Sequence, residues 1–184
     1  MSGVLGIAAA QGTTAIRRAL DAFYAALMAG AALAMVSCFV AVMLGIADRQ
    51  FGLGLRGLDA YAGYFIAAAL FLALPGTFQR GEHIRVTLLL QHAPARLRSL
   101  LEWVCLLAGV LLTTGLAFYA CRMVWVSQQT HDISQGSDAT ALWLPQLAMA
   151  LGCVGLAIAL LDAALSRLVG REFFTVVAGT ANVE

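Results

Sequence analysis

Four apolar runs, Ala22–Ala47, Ala60–Phe78, Trp103–Cys121 and Ala141–Leu161, alternate with short arginine-bearing segments along the chain. They hold 26, 19, 19 and 21 residues. At 1.5 Å per residue each helix would cover about 28–39 Å, enough for a hydrocarbon layer of about 30 Å. None of the runs carries an acid or a base in its middle. The pattern predicts an all-α integral membrane protein with four transmembrane helices in one bundle, filling residues 1–184 as a single domain.

Composition agrees, with 61% hydrophobic and 11% charged residues in 184. Soluble domains carry about a quarter charged residues. The net charge of +1 gives no reason to expect nucleic acid as a partner. Membrane lipids are the partner that composition implies.

Arginines set the expected topology. Arg17 and Arg18 precede span one, Arg80, Arg85, Arg96 and Arg98 separate spans two and three, and Arg167 and Arg171 follow span four. These eight oppose Arg49, Arg56 and Arg122 on the other side. Basic loops stay in the cytoplasm, so both termini and the middle loop are expected inside. Met1–Thr14 is apolar but lacks a basic start, so the first span reads as retained and not as a cleaved leader.

Details along the runs suggest how the helices meet. Span one has Ala26, Gly30 and Ala34 four apart, and its length calls for tilt or extension beyond the bilayer. Asp48–Asp59, with Gly52, Gly54 and Gly57, reads as a tight external hairpin. Pro75 predicts a kink or an end near the inner edge of span two. Gln79–Ser99 mixes arginines with Ile84, Val86 and Leu88–Leu90, which suits a short cytoplasmic segment lying at the membrane surface between helices two and three.

Span three lies between Trp103 and Trp125, about 33 Å apart as a helix, which matches the two interfacial belts. Cys105, Gly109, Thr113, Ala117 and Cys121 recur every four residues along it and form a candidate helix-packing ridge. A four-residue repeat drifts around a helix of 3.6 residues per turn, so one neighbour need not cover it all. The four cysteines, Cys38, Cys105, Cys121 and Cys153, make no CxxC pair or metal spacing and read as small thiols packed between helices.

Candidate chemistry is sparse. A membrane haem held by two histidines needs them facing each other at membrane depth. His83 and His92 fall in the cytoplasmic segment and His131 on the opposite side. No nucleophile–base set stands out, so no catalytic, cofactor or metal residue is assigned and no enzyme activity is expected. Ionisable groups inside a bilayer mark ion pathways, and Asp48, Asp59, Glu102, Arg122 and Asp162 all lie near span ends. The chain therefore reads as a subunit and not as a complete transporter. The alternatives are a membrane anchor for a redox complex and a free-standing structural membrane protein.

Three stretches carry a resemblance. Ala47-Asp48-Arg49-Gln50-Phe51-Gly52 precedes Asp59 at the head of span two, Gln79-Arg80-Gly81-Glu82-His83-Ile84-Arg85-Val86 follows that span, and Ala141-Leu142-Trp143-Leu144-Pro145 opens span four. In order and spacing they resemble the small membrane subunit of TRAP (tripartite ATP-independent periplasmic) transporters, over about Arg17 to Arg171. Thr87 stands where that family usually has an acid, and Asp59 where it usually has glutamate.

The resemblance implies a small permease subunit in a bacterial or archaeal inner membrane. It implies a large elevator-type membrane subunit that moves organic acids with sodium, and a periplasmic substrate-binding protein that delivers them. The small chain would broaden the fixed part of the elevator as a scaffold, without cofactors. Arg49, Asp59, Gly81, His83, Ile84, Val86 and Pro145 are the motif positions and the candidate partner interface.

Overall fold

A computed structural model describes residues 2–80, 95–136 and 139–168. Its elements are α1 (Ser2–Phe51), α2 (Leu58–Gln79), α3 (Ala95–Gln129) and α4 (Trp143–Leu168). All four are long and apolar enough to cross a membrane, over Arg17–Phe51, Leu58–Gln79, Trp103–Gln129 and Trp143–Leu168. The described residues form no sheet, only an isolated bridge between Ile133 and Ala141. The helices run past the apolar cores read from sequence, α1 through the largely apolar Ser2–Asp21 and α3 through Ala95–Glu102 and Arg122–Gln129.

The helices are not equally central. Three extensive interfaces join α1 to α2, α2 to α4 and α4 to α3, and α1 makes a minor contact with α4. The spatial order is α1–α2–α4–α3, with α2 and α4 inside and α1 and α3 on the flanks. Within the 18-residue apolar stretch of each span, 39% of residues are buried in α4 and 11% in α3, so α4 is the hub.

Small residues explain that role. Gly152, Cys153, Gly155, Ala157, Ala159 and Ala163 of α4 are all buried. One side of α4 takes Ala117 and Ala120 of α3 against Ala150, Cys153 and Ala157. The other side meets α2 at backbone contact, because a Cβ on Gly152 would collide with the carbonyl of Phe71. A Cβ on Gly155 would stand 2.7 Å from Pro75 Cγ and 2.8 Å from Leu27 Cδ1. In lipid, where apolar surfaces gain little by leaving the solvent, such close approach supplies dispersion energy that bulkier side chains would forfeit.

Pro75 does not end α2, which continues to Gln79. Proline has no N–H to give Phe71, four residues back, so the turn loses one ladder bond. Thr77 reinforces the turn by donating to the carbonyls of Ala73 at 3.1 Å and Leu74 at 3.0 Å. Pro75 itself is buried among the helices.

Along α1, the three small residues singled out from sequence divide. Ala34 is buried, and a Cβ on Gly30 would touch Leu72 at 3.4 Å, whereas Ala26 faces outward. Farther out, Cys38 and Ala41 pack on Ala62 and Phe65 of α2.

Candidate partner-facing sites

The end of the α1–α2 pair where the two helices join is built around glycines that turn the chain sharply. Gly52, Gly54 and Gly57 have φ of 63°, 72° and 82°, a left-handed region that costs glycine little. Asp48 steadies the loop, its Oδ1 accepting the Leu55 N–H at 2.9 Å. This brings Arg49, at the end of α1, to Asp59, in the first turn of α2. Arg49 Nη2 donates to Asp59 Oδ2 at 3.0 Å and to Oδ1 at 3.2 Å. The side chains are 71% and 84% exposed, so water competes for the pair and its contribution to folding is small.

Beside the pair lies an open depression of about 440 Å³. Its lining includes Asp48 and Arg49 from the end of α1, Arg56 from the α1–α2 loop, Asp59 from the start of α2 and Gly136 from the α3–α4 loop. The α1–α2 and α3–α4 loops therefore share one surface.

Sequence reading missed what docks the second loop. Its backbone folds into a small hairpin, with Ser134 N–H donating to Thr140 O at 2.8 Å and Leu142 N–H to Asp132 O at 3.0 Å. His131 and Ala139 take positive φ, 51° and 46°, to close it. Two tyrosines one turn apart on α2 hold it. Tyr64 OH donates to Ser134 Oγ at 2.9 Å, and Thr140 Oγ1 donates to Tyr61 OH at 3.0 Å. The available signal was the Tyr61–Tyr64 spacing, which puts both hydroxyls on one face near a helix end. Pro145 lies in the first turn of α4, where a missing N–H breaks no helical bond.

The opposite end is tied by longer side chains. Gln79 Nε2 donates to Asp21 Oδ1 at 2.9 Å, joining α2 to α1. Arg167 of α4 lies over the Trp103 ring of α3, 5.4 Å from its centroid. Gly81, His83, Ile84 and Val86 lie outside the described residues.

The ridge on α3 does not act as a unit. Ala117 is buried against α4, and a Cβ on Gly109 would approach Leu160 Cδ2 at 3.3 Å. Thr113 turns its hydroxyl back to Gly109 O at 2.8 Å. Cys105 and Cys121 are exposed, which corrects the expectation that all four cysteines pack between helices; Cys38 and Cys153 are the buried ones. The drift of a four-residue repeat carries the two ends of the ridge away from the face that its centre presents.

No group of three or more His, Cys, Asp or Glu side chains that could hold a metal occurs among the described residues. The architecture defines a multi-pass membrane protein whose polar features lie at its two ends. The family described as "Tripartite ATP-independent periplasmic transporters, DctQ component" matches residues 38–170. The chain belongs to this family and is a TRAP transporter small membrane subunit, which works with other TRAP subunits. Comparison with curated proteins and with solved structures matched nothing to the chain.

Proposed function

We propose that the chain is the fixed, non-catalytic scaffold of a sodium-driven organic-acid importer in a bacterial or archaeal inner membrane. It pairs with a large elevator-type membrane subunit, and a periplasmic binding protein delivers the substrate to the complex. The observation that carries the fixed role is the α2–α4 joint, where glycine brings one helix onto the backbone of another. A helix pair seated at backbone contact resists sliding, which suits the part of an elevator that does not move.

The location of charge supports the same reading. Arg49, Asp59, Asp21 and Arg167 sit at span ends, and no acid or base lies in the middle of a span. Coupled transport ordinarily draws on ionisable or unwound elements at mid-depth and on paired helical repeats. The Arg49–Asp59 pair and the depression beside it then serve as surface for the other subunits on the outer side.

Reconstitution tests the proposal. The lone chain in proteoliposomes should give no sodium-dependent uptake of an organic acid. Adding the large membrane subunit and the binding protein should restore uptake. Robust uptake by the lone chain would overturn the scaffold reading.

A further inference from the structure

One buried polar atom is left over between α1 and α4. Tyr24 of α1 is only 2% exposed, yet its hydroxyl has no hydrogen-bond partner. A hydroxyl buried in that way loses its bond to water and gains nothing in return. The charges that bear on it are Asp162 of α4, then Asp21 and Arg17 of α1. Asp162 is half-buried, and among the described residues it makes no hydrogen bond or ion pair.

Two contacts fix how α1 and α4 run past each other. Leu27 lies against Gly155, and Arg17 Nη1 donates to Ser166 Oγ at 3.5 Å. Asp162 is seven residues past Gly155 and four before Ser166, which sets it level with residues 20–21 of α1. Helical side chains lean toward the N-terminus of their own helix. Tyr24 therefore reaches back toward that level, and Asp162 leans to meet it. Asp21 stands at the same level; its Oδ1 accepts from Gln79, which leaves Oδ2 for another donor.

We propose that a water molecule bound between the Tyr24 hydroxyl and the Asp162 carboxylate latches α1 to α4 at this end. The occupant must accept one hydrogen bond and donate at least one. Water does both: it accepts from the Tyr24 hydroxyl, donates to Asp162, and has a second proton for Asp21 Oδ2. That makes about three hydrogen bonds, the usual number for a buried water. A metal cation would suit the carboxylates but cannot accept the tyrosine proton, so the hydroxyl would stay unpaired. The latch matters because α1 lies mainly on α2 and otherwise touches α4 little. It is internal to the chain and stands whatever the other subunits do.

A double-mutant cycle on the full chain tests the link. Tyr24→Phe keeps the ring and removes the hydroxyl, and should lower the melting temperature by about 2–4 °C. Asp162→Ala should lower it as well. In the double variant the second change should cost much less than it does alone, because both remove the same link. A neutral or stabilising Tyr24→Phe would show that the hydroxyl has no partner, and additive losses would show that its partner is not Asp162. Either result overturns the proposal.

Two further measurements identify the occupant. Melting in sodium, potassium and choline chloride at equal concentration should give the same temperature. A gain specific to sodium or potassium that Asp162→Ala abolishes would assign the site to that cation and overturn the water. A density map that resolves waters should show a peak within hydrogen-bond distance of both the Tyr24 hydroxyl and Asp162. No peak there, or a direct contact between the two side chains, would also overturn it.

Discussion

Gly152 of α4 rests against the backbone carbonyl of Phe71 in α2, the carbonyl to which Pro75 has no N–H to offer. The two unusual residues thus serve one joint: proline removes a donor from one helix, and glycine lets the other helix close over the same turn.

Substitution separates fit from propensity. Gly152→Ala gains helix propensity but drives a methyl into the Phe71 carbonyl, so a net loss of about 1–3 kcal/mol is expected. Gly63→Ala is the control, since nothing lies within 4 Å of its added Cβ. It should be neutral or stabilising by up to about 1 kcal/mol. Thermal unfolding of the purified chain in detergent measures both. Equal stability of the two variants would show that the helices do not meet as closely as the joint requires.

The Arg49–Asp59 pair separates stability from assembly. Because both side chains are largely exposed, Asp59→Asn should change the stability of the lone chain by less than about 1 kcal/mol. If the outer surface contacts other subunits, the same variant should weaken recovery of the assembled transporter. A large fall in lone-chain stability would make the pair a folding element instead.

The spans were legible because bilayer thickness imposes a length that composition reveals directly. What each helix touches was not. The repeat on α3 drew attention through Cys105, Gly109, Thr113, Ala117 and Cys121, yet the deepest packing belongs to Gly152, Gly155, Ala159 and Ala163 on α4. Small residues occur on every helix here, and sequence spacing alone does not say which stripe has a neighbour. The α3–α4 loop was hidden for another reason: Tyr64 meets Ser134 across 70 residues of chain and Tyr61 meets Thr140 across 79. Contacts of that range leave no local periodicity. The Arg49–Asp59 contact was within reach because only ten residues and three glycines separate the partners.

The eight-to-three division of arginines predicts that both termini and the middle loop face the cytoplasm. In a variant lacking the native cysteines, single cysteines at Ser2 and Ser99 should be protected from an impermeant reagent in intact cells. Cysteines at Gly54 and Gln135 should react. Labelling of Ser99→Cys from outside would invert the topology and move the Arg49–Asp59 surface to the cytoplasm.

The centre and the ends of the α3 ridge should behave differently when enlarged. Gly109 and Ala117 face α4, so Gly109→Leu or Ala117→Leu should push α3 from its neighbour and lower the stability of the lone chain. A loss of about 1–3 kcal/mol is expected from overpacking. Cys105→Leu and Cys121→Leu add bulk on exposed positions and should leave that stability within about 0.5 kcal/mol. All four keep the span apolar, so membrane insertion should survive. Thermal unfolding of the lone chain and recovery of the complex are measured together. If Gly109→Leu and Ala117→Leu leave the lone chain intact but abolish recovery of the large subunit, the centre of the ridge serves the partner and not α4.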